Sequence, residues 1–306
     1  MQPSDYMQIQ HIIRHREHAS GVRLNHARRM YNGLLAGGGV RKGLAGGGEV
    51  TVTLNASEYT EDGLLKAILE GATKWEYDTE KTWLGFNKHT VTHADSGVTI
   101  EYTEVTHVYK FTTKKSAKIT IKGKNGEGNE PTTTLNTNIT VESGVHLILD
   151  NLTILSKFAK TMKITVNGGG KCTIKNCTIN DGDIYSGDHL VEVKESGTCI
   201  VDDCVINLTE ETPDKDDGAG ATVMTANGPN AVLTITNSTV KGSVIRAENK
   251  AHLTVKNTKL SPFIYPLSRS GKRCQPDIVS KNSILNLENV EINGVDDGMS
   301  DRKSTR

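Results

Sequence analysis

Aromatic residues make up only 5% of this chain of 306 residues, and hydrophobic residues of all kinds only 35%. This is little for a thick globular core and favours a narrow structure in which each layer buries a few aliphatic side chains. No apolar run is long enough to span a bilayer. The N-terminal residues also lack the apolar stretch and cleavage site of a secretion signal, so we expect synthesis in the cytoplasm without a signal peptide.

An eight-residue pattern recurs six times between Leu147 and Ile292. It reads apolar, any, apolar, any, Asn or Asp, small or apolar, any, apolar. The alternation of a half-buried strand changes phase at the Asn or Asp. That residue is therefore predicted to form a corner, because it tolerates the left-handed conformation and can hydrogen-bond the turn. The six corner residues are Asn151, Asn176, Asp203, Asn237, Asn257 and Asn289.

A third short strand precedes each copy, as in NITV at 138–141 and VIRA at 244–247. Three strands per repeat, with corners 20 to 34 residues apart, predict an all-β fold: a right-handed parallel β-helix, or three-sided solenoid. Equivalent residues of adjacent repeats would then lie about 4.8 Å apart. Residues 116–123 are predicted to supply an earlier, imperfect repeat.

The repeats divide the chain into four predicted parts. Residues 1–48 form a basic helical arm with a Gly-rich hinge, 49–115 an N-terminal cap, 116–294 the β-helix and 295–306 a charged tail. The cap contains a predicted helix with Thr60 as its N-cap. Its apolar stripe, and the aromatic residues expected to complete the plug, are Leu64, Leu65, Ile68, Leu69, Trp75, Trp83 and Phe86.

In residues 1–43, seven basic side chains face only two acidic ones. One interpretation is a disordered leader without a specific partner. We favour an anchor that docks on an acidic or apolar partner surface through Arg14, Arg16, Arg23, Arg28 and Arg29. Nucleic acid is a weaker alternative, because the arm is short and has only two tyrosines for stacking.

Two CxxxxC segments resemble a zinc site, but their register predicts otherwise. Cys172 should stack on Cys199, and Cys177 on Cys204, as two thiol ladders inside the core. No metal site and no cofactor is predicted from them. His11, His15 and His18 share one helical side and suit a transition metal by spacing, but a solvated or partner-facing surface explains them better.

The strongest enzyme candidate is an acidic corner formed by the insertions at 180–189 and 207–217. Its weak catalytic candidates are Asp181, Asp183 and Asp188, since paired carboxylates can hydrolyse a glycosidic bond. Cation binding and plain solvation are the alternatives. A second insertion, at 261–276, offers Tyr265, Arg269 and Arg273 as ligand-binding residues for a sugar or a neighbouring subunit.

The six copies resemble the pectate-lyase-like right-handed β-helix superfamily, whose inward Asn at one corner matches five of the six corner residues, with Asp203 conforming. That superfamily includes polysaccharide lyases and hydrolases, phage tailspikes and surface adhesins. The catalytic patterns of its enzymes (Asn-Thr-Asp, Gly-His-Gly and Arg-x-Lys) are not found here, so the resemblance implies the fold and carries over no catalytic residue.

A basic arm, a Gly hinge and a stack of repeats together resemble a phage tailspike, fibre or capsid decoration protein. The expected function is therefore a structural virion protein that docks by its arm and projects the β-helix. The resemblance implies a homotrimer, a place on the virion or extracellular surface, and a host glycan as ligand. The alternatives are a polysaccharide-degrading enzyme using the acidic corner, and a bacterial surface adhesin or filament subunit.

Overall fold

A computed structural model describes residues 48–55, 58–60, 63–70, 74–124, 131–156, 163–181, 190–208, 222–241, 244–261, 264–267, 271–274 and 278–293. All of them belong to one compact unit, Gly46–Arg306. The predicted arm lies outside the described residues, as does the predicted tail. The described part is mostly β-strand with one helix.

Strands that precede a corner pair in parallel, each with its counterpart in the next repeat. They are β1 (Glu49–Thr53), β7 (Ala117–Lys122), β10 (Val145–Asp150), β13 (Lys171–Lys175), β16 (Thr198–Asp202), β19 (Val232–Thr236) and the first parts of β22 (His252–Ser261) and β26 (Ile284–Ile292). This column contains two strands, β1 and β7, in addition to the six predicted copies.

Strands that follow a corner form a second parallel column in the same 14-stranded sheet. They are β2 (Glu58–Thr60), β8 (Thr134–Asn136), β11 (Thr153–Ser156), β14 (Thr178–Asp181), β17 (Val205–Leu208) and β20 (Thr239–Lys241), with the second parts of β22 and β26.

The predicted third strands form a 10-stranded sheet with an antiparallel extension. The parallel members are β6 (Val108–Thr113), β9 (Asn138–Val141), β12 (Ile164–Val166), β15 (Val191–Lys194), β18 (Thr222–Asn227), β21 (Val244–Glu248) and β25 (Ile278–Lys281). The antiparallel members are β3 (Trp75–Lys81), β4 (Asn87–His93) and β5 (Val98–Thr103). Three strands per repeat and their parallel pairing are thus as predicted.

The inward positions of the repeats stack into continuous columns. Cys172 pairs with Cys199 and Leu253 with Leu285, as the register predicts. In the first five copies all four inward positions are buried. Because one repeat cannot cover its own inner face, this burial comes from the neighbouring repeats, and the stack is the cooperative unit.

Every predicted corner residue has a positive φ, from 49° at Asn257 to 56° at Asn151. This is the left-handed conformation that Asn and Asp tolerate best among non-glycine residues. Gly123 takes the corner of the imperfect repeat, where a Cβ would lie 2.2 Å from the carbonyl oxygen of Asn151. The eight-residue pattern breaks there because no side chain fits.

The family resemblance implies that the Asn side chains at the corners point inward, but most of them are exposed in the structure. Asn151 is buried, but the other five corner residues are exposed. Asn289 donates to Asn257 over 3.0 Å, and Asn257 donates to Asn237 over 3.2 Å, so the amides form a ladder on the outside of the corner. The residue after the corner points inward instead, as in Leu152 and Ser238.

The N-terminal end of the stack is covered by helix α1 (Gly63–Glu70). Leu64, Leu65 and Ile68 are buried against the core, as predicted. Thr60 lies in β2 rather than at the helix N-cap, and Leu69 is exposed. The backbone N–H of Leu65, in the first turn, donates to the hydroxyl of Tyr109 over 3.0 Å.

The C-terminal end differs from the N-terminal end. Leu285, Leu287 and Ile292 of β26 occupy inward positions of the last copy, yet all three are exposed. The equivalent residues of the preceding copy, such as Leu253 and Val255, are fully buried. No described element covers the inner face of the last repeat.

Candidate functional site

The sites predicted from the sequence lie largely outside the described residues. Of the three catalytic candidates only Asp181 is described, at the end of β14, where it pairs with Leu208 at the end of β17. The two acidic insertions therefore leave from adjacent positions, as predicted. Arg269, the five docking arginines of the arm and the three histidines His11, His15 and His18 are also outside the described part.

The predicted ligand loop contains an antiparallel hairpin of β23 (Ile264–Leu267) and β24 (Gly271–Cys274). Tyr265 pairs directly with Arg273 in its register. The backbone thus brings together two of the three residues predicted to bind a ligand there.

The most exposed large apolar residue of the described part is Trp83, at 91%. It lies at the tip of the β3–β4 hairpin with Leu84 and Phe86, which are about half exposed. Sequence reasoning placed Trp83 and Phe86 in a plug, and that prediction was wrong: β3 and β4 extend the sheet beyond the stack and carry the tip into solvent. Trp75 alone packs against the core.

The tip has a defined backbone. The N–H of Thr82 donates to the carbonyl oxygen of Phe86 over 2.8 Å, and the N–H of Gly85 donates to the carbonyl oxygen of Thr82 over 2.8 Å. Gly85 has a φ of +84° and no neighbouring atom within 4 Å of where a Cβ would be. Glycine is required there by the turn and not by packing.

A hydrogen-bonded network holds the base of this hairpin. The hydroxyl of Tyr77 lies 2.8 Å from Nδ1 of His89, and Nε2 of His89 lies 3.1 Å from Oε1 of Glu104. Asn87 donates to both carboxylate oxygens of Glu104. The network therefore ties edge strand β3 to β4 and to the turn after β5.

The Glu104 carboxylate is stabilised in its charged form. Burial by itself raises its pKa, but hydrogen bonds from Asn87 and His89 outweigh burial, and the pKa lies below its usual value. Rings of Tyr77, His89, Tyr102 and Tyr109 stack in series across the four strands, with centroids 4.6 to 6.0 Å apart. The aromatic row gives the exposed tip a rigid support.

Two half-buried or buried histidines have lowered pKa values. Burial is the main cause at His93, which packs edge-on against Trp75 and whose Nδ1 lies 2.9 Å from Oγ of Ser96. Asp95 raises the pKa of His93 and Lys74 lowers it, both less strongly. At His146, burial again comes first, followed by the charges of Lys171 and Lys118.

These pKa values predict that acid destabilises the fold. The unfolded chain binds a proton at each histidine near pH 6.5, whereas the folded chain resists protonation. The neutral histidines therefore contribute their full stabilisation of the fold above about pH 6.5. This contribution is lost as the pH falls through their folded-state pKa. We expect the Tm to fall between about pH 7.5 and 5.5, with a shallower slope in His93→Gln. Equal slopes in the two proteins would contradict the assignment to His93.

Four of the five cysteines are buried and unbridged, and their thiols face one another in pairs. Contact with Cys199 and burial raise the pKa of Cys172 well above its usual value. Burial and contact with Cys204 do the same for the pKa of Cys177. These are the predicted thiol ladders.

The second ladder has a role that sequence reasoning missed. The thiol of Cys177 donates to the carbonyl oxygen of Lys175 over 3.1 Å, and that of Cys204 to Asp202 over 3.2 Å. Ser238 makes the same bond to Thr236 over 2.6 Å. A side-chain donor one residue after the corner thus bonds the carbonyl one residue before it.

Because reactivity belongs to the thiolate, the burial and raised pKa values predict unreactive cysteines. In native protein at most one of the five thiols, Cys274, is expected to react with an aromatic disulfide reagent within minutes, and all five in denaturant. Absorbance of the released thiol counts them. More than one fast thiol in the native protein would disagree with the buried ladders.

Among the residues that the structure describes, no group of three or more His, Cys, Asp or Glu side chains is placed to hold a metal ion. Within the same part of the chain, no helix is long and apolar enough to cross a membrane. Comparisons of the chain with protein-family models, with curated proteins and with solved structures find no match.

Proposed function

We propose that the chain forms a right-handed, three-sided parallel β-helix of the pectate-lyase-like type and acts as a structural virion protein. Its basic arm docks on the particle, and the stack carries binding loops away from it. The observation that supports this most is the unbroken parallel register from Glu49 to Leu285 before the corners. Parallel crossover connections are right-handed in about 98% of cases, which supports the proposed hand.

A stack of this kind suits attachment because scaffold and contact surface are separate. The inward positions are occupied by repeat residues, while outward positions carry exposed Lys–Glu pairs such as Lys256–Glu288 and Lys118–Glu49. Such surface pairs contribute little to stability. Loops that leave one corner can vary without disturbing the core, and the Tyr265–Arg273 hairpin is the proposed glycan contact.

Docking by the arm is tested in the organism that makes the protein. Virus particles from that organism are fractionated on a density gradient, and the particle fraction is assayed for the protein. Deletion of residues 1–48 is expected to leave the stack folded and soluble and to remove it from the particle fraction. Replacing Arg14, Arg16, Arg23, Arg28 and Arg29 by Gln should have the same effect, whereas replacement by Lys should retain incorporation. If the deleted protein still co-sedimented with particles, the proposal would be abandoned.

A further inference from the structure

A tyrosine, a histidine and a glutamate are hydrogen-bonded in series on the antiparallel extension of the sheet. Tyr77 lies on β3, His89 on β4 and Glu104 in the turn after β5. The hydroxyl of Tyr77 lies 2.8 Å from Nδ1 of His89, and Nε2 of His89 lies 3.1 Å from Oε1 of Glu104. A hydroxyl, an imidazole and a carboxylate in this order form the arrangement that activates a hydroxyl nucleophile.

The direction of the hydrogen bonds follows from the charge of Glu104. Burial raises the pKa of Glu104, but hydrogen bonds from Asn87 and His89 outweigh burial, so the side chain is a carboxylate and can only accept. Nε2 of His89 therefore carries the proton and donates it to Glu104. In the neutral imidazole this leaves Nδ1 as an acceptor, and the hydroxyl of Tyr77 donates to it.

The histidine is shielded from water, whereas the tyrosine is accessible. His89 is 5% exposed and Tyr77 is 40% exposed. A second pair of the same kind lies nearby, because the hydroxyl of Tyr102 is 3.0 Å from Nδ1 of His107, but Tyr102 is only 2% exposed. Of these two tyrosines, Tyr77 is the one that a molecule in solution can reach.

The surrounding charges favour a neutral substrate. Glu104 is negatively charged, and Glu76 and Asp78 are exposed on the same strand as Tyr77. These carboxylates repel phosphates and other anions. An acyl donor must also release a better leaving group than the phenol of tyrosine. A thiol fits this requirement, because its ordinary pKa is about 8.5 and that of tyrosine is about 10.

We propose that Tyr77 is an activated nucleophile that accepts an acyl group from a neutral thioester or activated aryl ester. Its Oη attacks the carbonyl carbon while Nδ1 of His89 takes the hydroxyl proton, and Glu104 stabilises the imidazolium that forms. The bond from the carbonyl carbon to the leaving sulfur or oxygen then breaks, and the leaving group takes the proton from Nδ1. The products are a tyrosyl ester and a free thiol or phenol, with His89 neutral again. Glu104 is a positioning residue, and the inference does not depend on the proposed virion function.

The test is acetylation of the full chain by p-nitrophenyl acetate. Peptide mass spectrometry over a time course locates the acetyl group and gives the rate at Tyr77. This rate should be at least about 100-fold higher in native protein than in the denatured chain, which is the contribution expected of a positioned general base. It should also level off well below pH 10, where a free phenol titrates. Equal rates in the native and denatured chains would overturn the proposal.

Substitutions of the two supporting residues separate activation from mere exposure. His89→Gln should lower the rate at Tyr77 about 100-fold and restore the pH dependence of a free phenol. Glu104→Gln keeps the size of the side chain but removes its charge, so the rate should fall by about 10-fold or more. In Tyr77→Phe the fast phase of nitrophenolate release should disappear. A fast phase that persisted there would identify another nucleophile and overturn the proposal.

Lys88→Gln is the matched control for the stability of the hairpin. Lys88 lies on the same strand as His89, but it pairs with Glu80 and Glu101 over 3.2 and 3.5 Å on the opposite face of the sheet. Its replacement should leave acetylation of Tyr77 at the wild-type rate. A loss as large as that in His89→Gln would mean that the network only supports the hairpin, and the proposal would be wrong. Circular dichroism spectra verify that each variant is folded.

Discussion

Leu233→Ala is expected to lower the free energy of unfolding by about 3 kcal/mol, and Leu285→Ala by only about 1 kcal/mol. The two leucines occupy the same position of the repeat. Leu233 is fully buried between β16 and β22, whereas Leu285 is 37% exposed in the last repeat. Truncation of Leu233 leaves a cavity with neighbouring repeats on both sides, but truncation of Leu285 removes atoms that water already reaches.

Denaturant unfolding followed by far-ultraviolet circular dichroism measures both values. The slope of the transition should be unchanged in Leu233→Ala, because a cooperative stack loses the same surface on unfolding. Equal losses for the two variants would mean that the last repeat is covered in solution. If the losses were equal at high protein concentration and unequal at low concentration, self-association would be covering the exposed face of the last repeat.

The repeat core could be predicted because its signal is carried by side chains that alternate along the strand. The phase change at Asn176 or Asn237 identifies which neighbours point inward, and burial agrees with it at every inward position of the first five copies. The left-handed φ at each corner likewise follows from the chemistry of Asn and Asp. Local chemistry is enough to predict both features, although the neighbouring repeats supply the burial.

Features that depend on distant partners were missed or misplaced. Strand β1 shows alternation at Val50 and Val52, but Leu54 takes the corner position in place of Asn, so its repeat carries no recognisable corner. Trp83 resembles a core residue in sequence, and only the antiparallel extension of the sheet shows that nothing lies over it. Exposure of the corner amides depends on ladders between repeats, which no single copy reveals.

The cysteine ladders provide the second large expected effect. Cys199→Ser is expected to lower the free energy of unfolding by about 2 kcal/mol, because a hydroxyl would be buried without a good acceptor. The backbone groups of β16 are engaged by β13 on one side and β19 on the other, and the facing group is the thiol of Cys172. Leucine occupies the same position in four other copies, so this part of the core is apolar.

Cys204→Ser makes the same chemical change with a different expected result, a shift within about 0.5 kcal/mol. A hydroxyl at this position has an acceptor ready, the carbonyl oxygen of Asp202, as Ser238 has in Thr236 one repeat later. Thr258 repeats the arrangement with Lys256 over 2.8 Å. Cys204→Val keeps the volume and loses the donor, so it should be less stable than Cys204→Ser.

The comparison separates two explanations for buried cysteine in this chain. If the cysteines of both ladders only filled small apolar spaces, Cys199→Ser and Cys204→Ser would lose similar stability. Cys204→Val would then be more stable than Cys204→Ser. If the second ladder closes the corner by hydrogen bonding, serine should be tolerated at Cys204 and not at Cys199. Unfolding midpoints of the three variants, measured under reducing conditions, distinguish these outcomes.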